Sequence, residues 1–168
     1  MTHILEVDSV ILEFNLKRVL QDIYLKSETG KVTGLLGRNG AGKSCLMNVI
    51  YGELSPNNKS VRLNGRLMAN GYRFPETLRY LPQFSFIPKS LTIKRIFNDF
   101  KLDFSDFIND FREFKKYYKT SFNKLSGGEQ RIIEIYSILV SKSKFCMLDE
   151  PFSHVMPVNV ITINLSSI

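Results

Sequence analysis

The sequence predicts an α/β fold built as one domain, and three observations carry that prediction. An apolar run at 31–36 leads into a glycine-rich loop at 37–44, Gly-Arg-Asn-Gly-Ala-Gly-Lys-Ser, and a run at 45–51 with helical character follows. A second apolar run at 145–148 ends in two adjacent carboxylates, Asp149 and Glu150. Ahead of both, residues 3–12 alternate apolar and polar (Ile4, Leu5, Val7, Val10, Leu12), as a half-buried strand does. With 168 residues, 43% of them hydrophobic, the chain can bury one sizeable core and not two independent ones.

In order, a turn at Asn15 separates the first strand from a second at 19–25, and Thr29-Gly30-Lys31 turns into a short buried strand at 31–36. After the loop helix, Gly52 is a helix stop and 55–58 a surface loop. Residues 60–63 read as a strand entering a tight turn at Asn64 and Gly65, and 78–81 as a strand ended by Pro82. From Pro88 the texture is helical. Ser90 or Thr92 caps a helix through Phe100, and Phe104, Phe107, Ile108, Phe111, Phe114 and Tyr118 recur at helical spacing. These aromatics read as the core of a small helical insert, with docking onto a partner as the alternative. Ser126 caps the next helix, with Glu129 placed for a capping box.

Composition excludes several classes. No run of about 18 apolar residues is present, and the N-terminus has neither a basic start nor an apolar core segment. Neither a membrane span nor a secretory signal is therefore expected. Two cysteines, Cys45 and Cys146, lie in apolar runs, as suits a reducing compartment, and zinc-type spacing is absent. The net charge is +7, and 89–124 holds nine Lys/Arg against five Asp/Glu. The basic residues are scattered, so a solvated face is the reading, and nucleic acid is not expected as a partner.

Three segments carry chemistry. Residues 37–44 fit G-x-x-x-x-G-K-S/T in full, in the strand-loop-helix context that pattern requires. Glycines let successive N–H groups curl around a phosphate, and the helix N-terminus adds unpaired donors and a positive dipole end. Lys43 would reach the β- and γ-phosphates and the Ser44 hydroxyl would bind Mg²⁺. At 125–131 the chain reads Leu-Ser-Gly-Gly-Glu-Gln-Arg. Capping explains Ser126 and Glu129 but not two glycines at a helix opening, where each costs about 1 kcal/mol. There they would admit an anion, so the chain has a second candidate phosphate-binding helix end. Asp149 and Glu150 could divide metal binding from proton acceptance. Gln83 sits at a strand's carboxyl edge, where ligands collect in α/β sheets.

Together these features resemble the ATP-binding cassette (ABC) ATPases, over residues from about Ile4 to Met156. The loop is similar to their Walker A, Gln83 to their Q-loop, 125–130 to their signature and 145–150 to their Walker B strand. Phe14 falls where the family has an adenine-stacking aromatic. A chance match to Leu-Ser-Gly-Gly-Glu-Gln is on the order of one in 10⁵, so the signature discriminates best. The resemblance implies a P-loop fold of ABC type: a mainly parallel core sheet, an antiparallel N-terminal β part and a helical insert at 84–131, within a single domain spanning 1–168.

It also implies roles. Phe14 would stack on adenine. Gly37, Asn39, Gly40, Ala41, Gly42, Lys43, Ser44 and Cys45 would line the nucleotide, while Ser44, Gln83 and Asp149 would arrange Mg²⁺. Glu150 would be the general base, with Gln83 near the attacking water. Ser126, Gly127 and Gly128 would meet the γ-phosphate on a second nucleotide-binding domain, in a homo- or heterodimer sharing ATP. Separate membrane permease subunits would be the other partners, placing the chain in the cytoplasm at the membrane's inner face.

Three positions depart from the family. Cys45 stands where Thr is usual, and Met156 stands where the D-loop ends in Asp. The family's switch histidine lies farther on than the eighteen residues that follow Glu150 here, and neither His3 nor His154 is placed to replace it. Residues 151–168 contain no Asp, Glu, Lys or Arg, which suggests a C-terminally shortened domain or a tail read out of frame. The leading expectation is an ATP-hydrolysing transporter subunit. A soluble ABC protein acting on nucleic acid or ribosomes, and a module that binds ATP without hydrolysing it, are the alternatives.

Overall fold

The computed structural model describes residues 1–153. His154, Met156 and the apolar face expected beyond Pro157 lie outside them. The chain forms two compact units. One comprises Met1–Tyr80 with Ser143–Asp149, the other Leu81–Lys142 with the described residues 150–153.

In the first unit, β1 (Ile4–Phe14) and β2 (Lys17–Glu28) form an antiparallel hairpin. Asn15 and Leu16 close it, both at positive φ (46° and 65°), in a two-residue turn whose twist suits the strands. Val7 pairs with Leu25 and Val10 with Ile23, so β1 uses one residue more than β2 between them. Ser9, at φ 53°, is the extra residue. This bulge returns Val10 to the face of Val7, and Leu5, Val7, Val10 and Leu12 are all buried although strict alternation would separate Val7 from Val10. β3 (Asn58–Leu63) pairs antiparallel with β1, and β4 (Arg66–Leu67) turns back on β3 across Asn64 and Gly65, giving the order β2-β1-β3-β4. Asparagines pin both ends of β1: Asn64 Oδ1 accepts the Ile4 N–H at 2.8 Å and Asn57 Oδ1 accepts the Glu13 N–H at 2.9 Å.

Helix α1 (Lys43–Tyr51) buries Leu46, Val49 and Ile50 in the same apolar core as the inward face of β1. Gly52 ends it at φ 95°, and the Gly52, Glu53 and Leu54 N–H groups all converge on the Asn48 carbonyl. Half-buried Lys59 donates to the carbonyls of Val49 and Ala69 (3.1 and 2.9 Å), and its burial lowers its pKa. Strands β5 (Leu78–Leu81) and β6 (Phe145–Leu148) make a separate two-stranded sheet. Their starting ends lie side by side, since Lys144 and Phe145 N–H donate to Glu76 and Thr77 carbonyls, so this sheet is parallel.

One element differs from expectation. Residues 31–36 form no strand, and Val32 and Leu36 are 95% and 98% exposed. An apolar run becomes a buried parallel strand only when neighbours on its edges take its N–H and C=O groups. Among the described residues this run has no ladder partner; Leu35 packs against the core, and the hydrogen bonds at its start are local, Lys31 N–H to the Glu28 carbonyl and Thr33 Oγ1–H to Ser27 Oγ.

The second unit is helical. Thr92 caps α2 (Ile93–Asp99), its Oγ1 accepting the Arg95 N–H, and Asp103 caps α3 (Phe104–Asp110). The helical spacing of 104–118 does not give one helix. The chain breaks at Phe111 and continues as a 3₁₀ turn, Arg112–Tyr117. Tertiary hydrogen bonds accompany the break, because the Tyr118 and Thr120 carbonyls accept the Lys94 and Ile93 N–H groups at the start of α2 (2.8 and 3.0 Å). Phe97, Phe107, Phe111 and Phe114 are buried together with Ile132, Ile133 and Tyr136 of α4 (Gly127–Leu139). The Phe107 ring lies 4.7 Å from Phe111 and 4.8 Å from Tyr136, centroid to centroid. Those aromatics are core.

Candidate functional site

The loop at 37–44 is wound around its own lysine. Lys43 Nζ donates to the Gly37 and Arg38 carbonyls (2.9 and 3.1 Å), and the Ala41 N–H closes a turn onto the Arg38 carbonyl. Gly40 and Gly42 take φ 80° and 90°, and Gly42 is the N-cap of α1. Space dictates Gly42 as well, because a Cβ there would lie 3.0 Å from Leu20 Cδ2 and 3.1 Å from Val19 Cγ1. Asn39 and Gly40 form the exposed tip, and Ser44 stands half-buried in the first turn of α1. Cys45 packs against the apolar core. Phe14, the last residue of β1, is 46% exposed.

The two carboxylates after β6 have different surroundings. Asp149 is buried and accepts the Tyr80 hydroxyl at 3.2 Å. Desolvation, then the charge and hydrogen bond of Asp149, push the Tyr80 pKa up, so the phenol stays a proton donor. Glu150 is exposed, takes a left-handed φ of 44°, and accepts from Gln83 Nε2 at 3.0 Å. Such a conformation is strained for a non-glycine residue. A turn in which the Ser153 N–H and Oγ–H both donate to the Glu150 carbonyl (3.2 and 3.0 Å) supports it.

Ser126 opens α4 with the expected capping box. Its N–H and Oγ–H each donate to Glu129 Oε2 at 2.8 Å, and its Oγ accepts the Glu129 N–H at 3.3 Å. Burial raises the Glu129 pKa, but hydrogen bonds from Ser126 and Tyr117 and the Lys116 charge outweigh it and hold the carboxyl below its usual range. A Cβ on Gly127 or Gly128 would meet nothing within 4 Å. Among the described residues, no packing neighbour requires those glycines.

Sequence reasoning missed four side chains that hold these groups in place. Gln130 Nε2 donates to the Phe122 and Leu125 carbonyls (3.0 and 2.9 Å), fixing the turn ahead of Ser126. Arg131 and Glu134 form a buried ion pair on α4, and Tyr80 holds Asp149. A charge pair spaced i,i+3 within an otherwise apolar helical run was the signal for Arg131 and Glu134.

The donor chemistry fits Mg²⁺. A serine hydroxyl and an aspartate are hard oxygen ligands, and Mg²⁺ takes one or two from protein with phosphate and water supplying the rest. Among the described residues there is no cluster of three or more His, Cys, Asp or Glu that would favour another metal.

A glycine loop folded around a lysine at a helix head, with an acidic strand end, defines a P-loop nucleotide-binding protein. Within that class, the chain belongs to the ABC transporter family, whose sequence profile matches residues 20–153. It is 29% identical to the zinc uptake system ATP-binding protein ZurA of Listeria innocua serovar 6a, over 90% of this chain and 65% of that one. The homologue from Listeria monocytogenes serovar 1/2a gives the same figures. The chain thus spans just under two thirds of the length of these relatives. Among solved structures, the ATP-binding subunit of an ABC transporter superposes with a TM-score of 0.78 at 22% identity, covering 92% of this chain and 69% of that one. An ATP-bound bacterial Atm1-family ABC exporter gives 0.77 at 21% identity, over 94% of this chain and 31% of that one. These likenesses establish the ABC ATPase fold, an antiparallel N-terminal sheet beside a parallel one. No helix among the described residues is long and apolar enough to cross a membrane.

Proposed function

We propose that this chain is an ATP-hydrolysing subunit that works as a dimer and drives a membrane permease partner. The observation that carries the reading is the pair of helix heads of opposite character. One carries a glycine loop wound around Lys43, and the other presents two glycines to open space. In this reading Phe14 stacks on adenine, and the N–H groups of Asn39, Gly40, Ala41 and Gly42, with Lys43, hold the phosphates. Ser126, Gly127 and Gly128 meet the γ-phosphate held by a second nucleotide-binding domain. Ser44, Asp149 and Gln83 hold Mg²⁺, which when bound neutralises charge developing on the phosphoryl oxygens. Glu150 accepts the proton of the attacking water, and Gln83, already bonded to it, orients that water. The Listeria relatives are named for zinc uptake, and permease-coupled uptake is the version of the reading they favour.

Lys43→Ala and Glu150→Gln test it together. Fluorescent-ATP titration should show Lys43→Ala without measurable binding. Glu150→Gln should bind as the parent does and lose at least about 10²-fold in steady-state turnover. Sedimentation of Glu150→Gln with MgATP should show an ATP-dependent dimer. Tight ATP binding by Lys43→Ala would dismiss the loop assignment, and turnover that survives Glu150→Gln would dismiss Glu150 as base.

A further inference from the structure

In the second unit, hydrogen bonds close into a ring that includes Gln83 and Glu150. Gln83 Nε2 donates to Glu150 Oε2 at 3.0 Å. Next to Glu150, the Pro151 carbonyl accepts from Arg131 Nε at 3.0 Å. Arg131 Nη1 donates to Glu134 Oε2 at 3.2 Å, and the other oxygen of Glu134 accepts Ser85 Oγ–H at 2.6 Å and the Phe86 N–H at 3.1 Å. Ser85 and Phe86 lead back through Phe84 to Gln83. The two charged side chains are 4% and 1% exposed, so neither can lose its partners without leaving a buried charge uncompensated.

From these contacts we infer that Arg131 and Glu134 are positioning residues. They hold Gln83 and Glu150 at one separation and tie both to the helix that Ser126 opens. This inference rests on the hydrolytic roles proposed above for Gln83 and Glu150. The carrier is rigid: Arg131 lies five residues from Ser126 on α4, about 7.5 Å along the axis at 1.5 Å per residue. A displacement of the Ser126 end by a phosphate group therefore moves Arg131 and Glu134, and with them the backbones beside Glu150 and Gln83. The helix head serving one nucleotide thereby reaches the general base serving the other. The bonds also explain why a helix buried from Arg131 to Ile138 keeps two charges in its interior, where apolar side chains would pack without desolvating an ion.

Single substitutions strand a charge and can unfold the chain, so the decisive variant is the double apolar replacement Arg131→Met with Glu134→Leu, which fills the same volume. It is compared with the full-length parent by thermal unfolding, MgATP binding, steady-state kinetics and hydrogen exchange. Folding and ATP affinity should hold at parental levels. kcat should fall on the order of a hundredfold with KM for ATP unchanged, the size expected when reacting groups shift by about 1 Å. Exchange at the Phe86 amide and across 83–87 should accelerate while α4 stays protected. A double variant that folds with parental kcat, or with parental protection at Phe86, overturns the inference. If the parent itself shows no Glu150-dependent turnover, the hydrolysis reading fails instead, and exchange at Phe86 alone decides whether the pair positions the loop.

Discussion

Gly42 and Gly128 stand at the openings of two helices in one chain, and they are glycine for different reasons. At Gly42 the reasons are internal: φ is 90°, and Leu20 and Val19 crowd the place a Cβ would take. At Gly128 there is no positive φ, and a Cβ would meet nothing within 4 Å among the described residues beyond its own helix. The first glycine is required by the fold that carries it. The second weakens its own helix with no steric need among the described residues, and the proposed half-site completed by a partner supplies a reason for it.

Adding one methyl group at each place breaks or sharpens that contrast. Gly42→Ala should destabilise the protein by roughly 1–3 kcal/mol, from an alanine at positive φ pressed against β2, and should abolish nucleotide binding. Thermal unfolding and a fluorescent-ATP titration measure both, and an unchanged Tm would refute the crowding argument. Gly128→Ala should act in the opposite direction on stability, raising it by up to about 1 kcal/mol because alanine favours the helix. ATP affinity of the monomer should hold while turnover falls. A Gly128→Ala protein that is both more stable and fully active would remove the reason for reading this helix head as half of a site.

A comparably small effect on stability belongs to the cap. Ser126→Ala should cost about 1 kcal/mol by removing the hydroxyl that accepts the Glu129 N–H and donates to its carboxylate. The sign of its pH dependence follows from Glu129, whose folded-state pKa is lowered. That carboxylate contributes stability above its unfolded pKa, near ~4.3, and the contribution disappears as pH falls through the lower folded value. Unfolding curves between neutral and acidic pH should therefore converge for parent and Ser126→Ala at the acid end. Curves that stay parallel would mean the cap does not govern Glu129.

Much of this is legible in the sequence. The Asn64-Gly65 turn, the Gly52 stop and the Ser126 capping box are local, encoded within a few residues by sterics and nearby hydrogen bonds, and the structure shows each of them, while the first strand is present with its alternation broken at the Ser9 bulge. Two departures from the local pattern share one cause. The apolar run at 31–36 looks like a buried strand, but a strand exists only where another edge meets it. The stripe from Phe104 to Tyr118 has helical spacing, but the structure divides it between α3 and a 3₁₀ turn, and carbonyls at 118 and 120 are taken by α2. Both depend on groups distant in sequence.

The same division separates the chemistry. By itself the sequence determined which groups are present: a loop able to bind phosphate, a signature, two carboxylates and a glutamine. Together they resemble the ABC ATPases, and the family match over residues 20–153 bears that resemblance out. Only the tertiary structure decided what holds each of them. Tyr80 reaches Asp149 across 69 positions, Gln83 reaches Glu150 across 67, and Ser85 reaches Glu134 across 49. Burial also turned Arg131 and Glu134 from an ordinary helix ion pair into a fixed frame, because charges removed from water must keep the partners the fold brings to them.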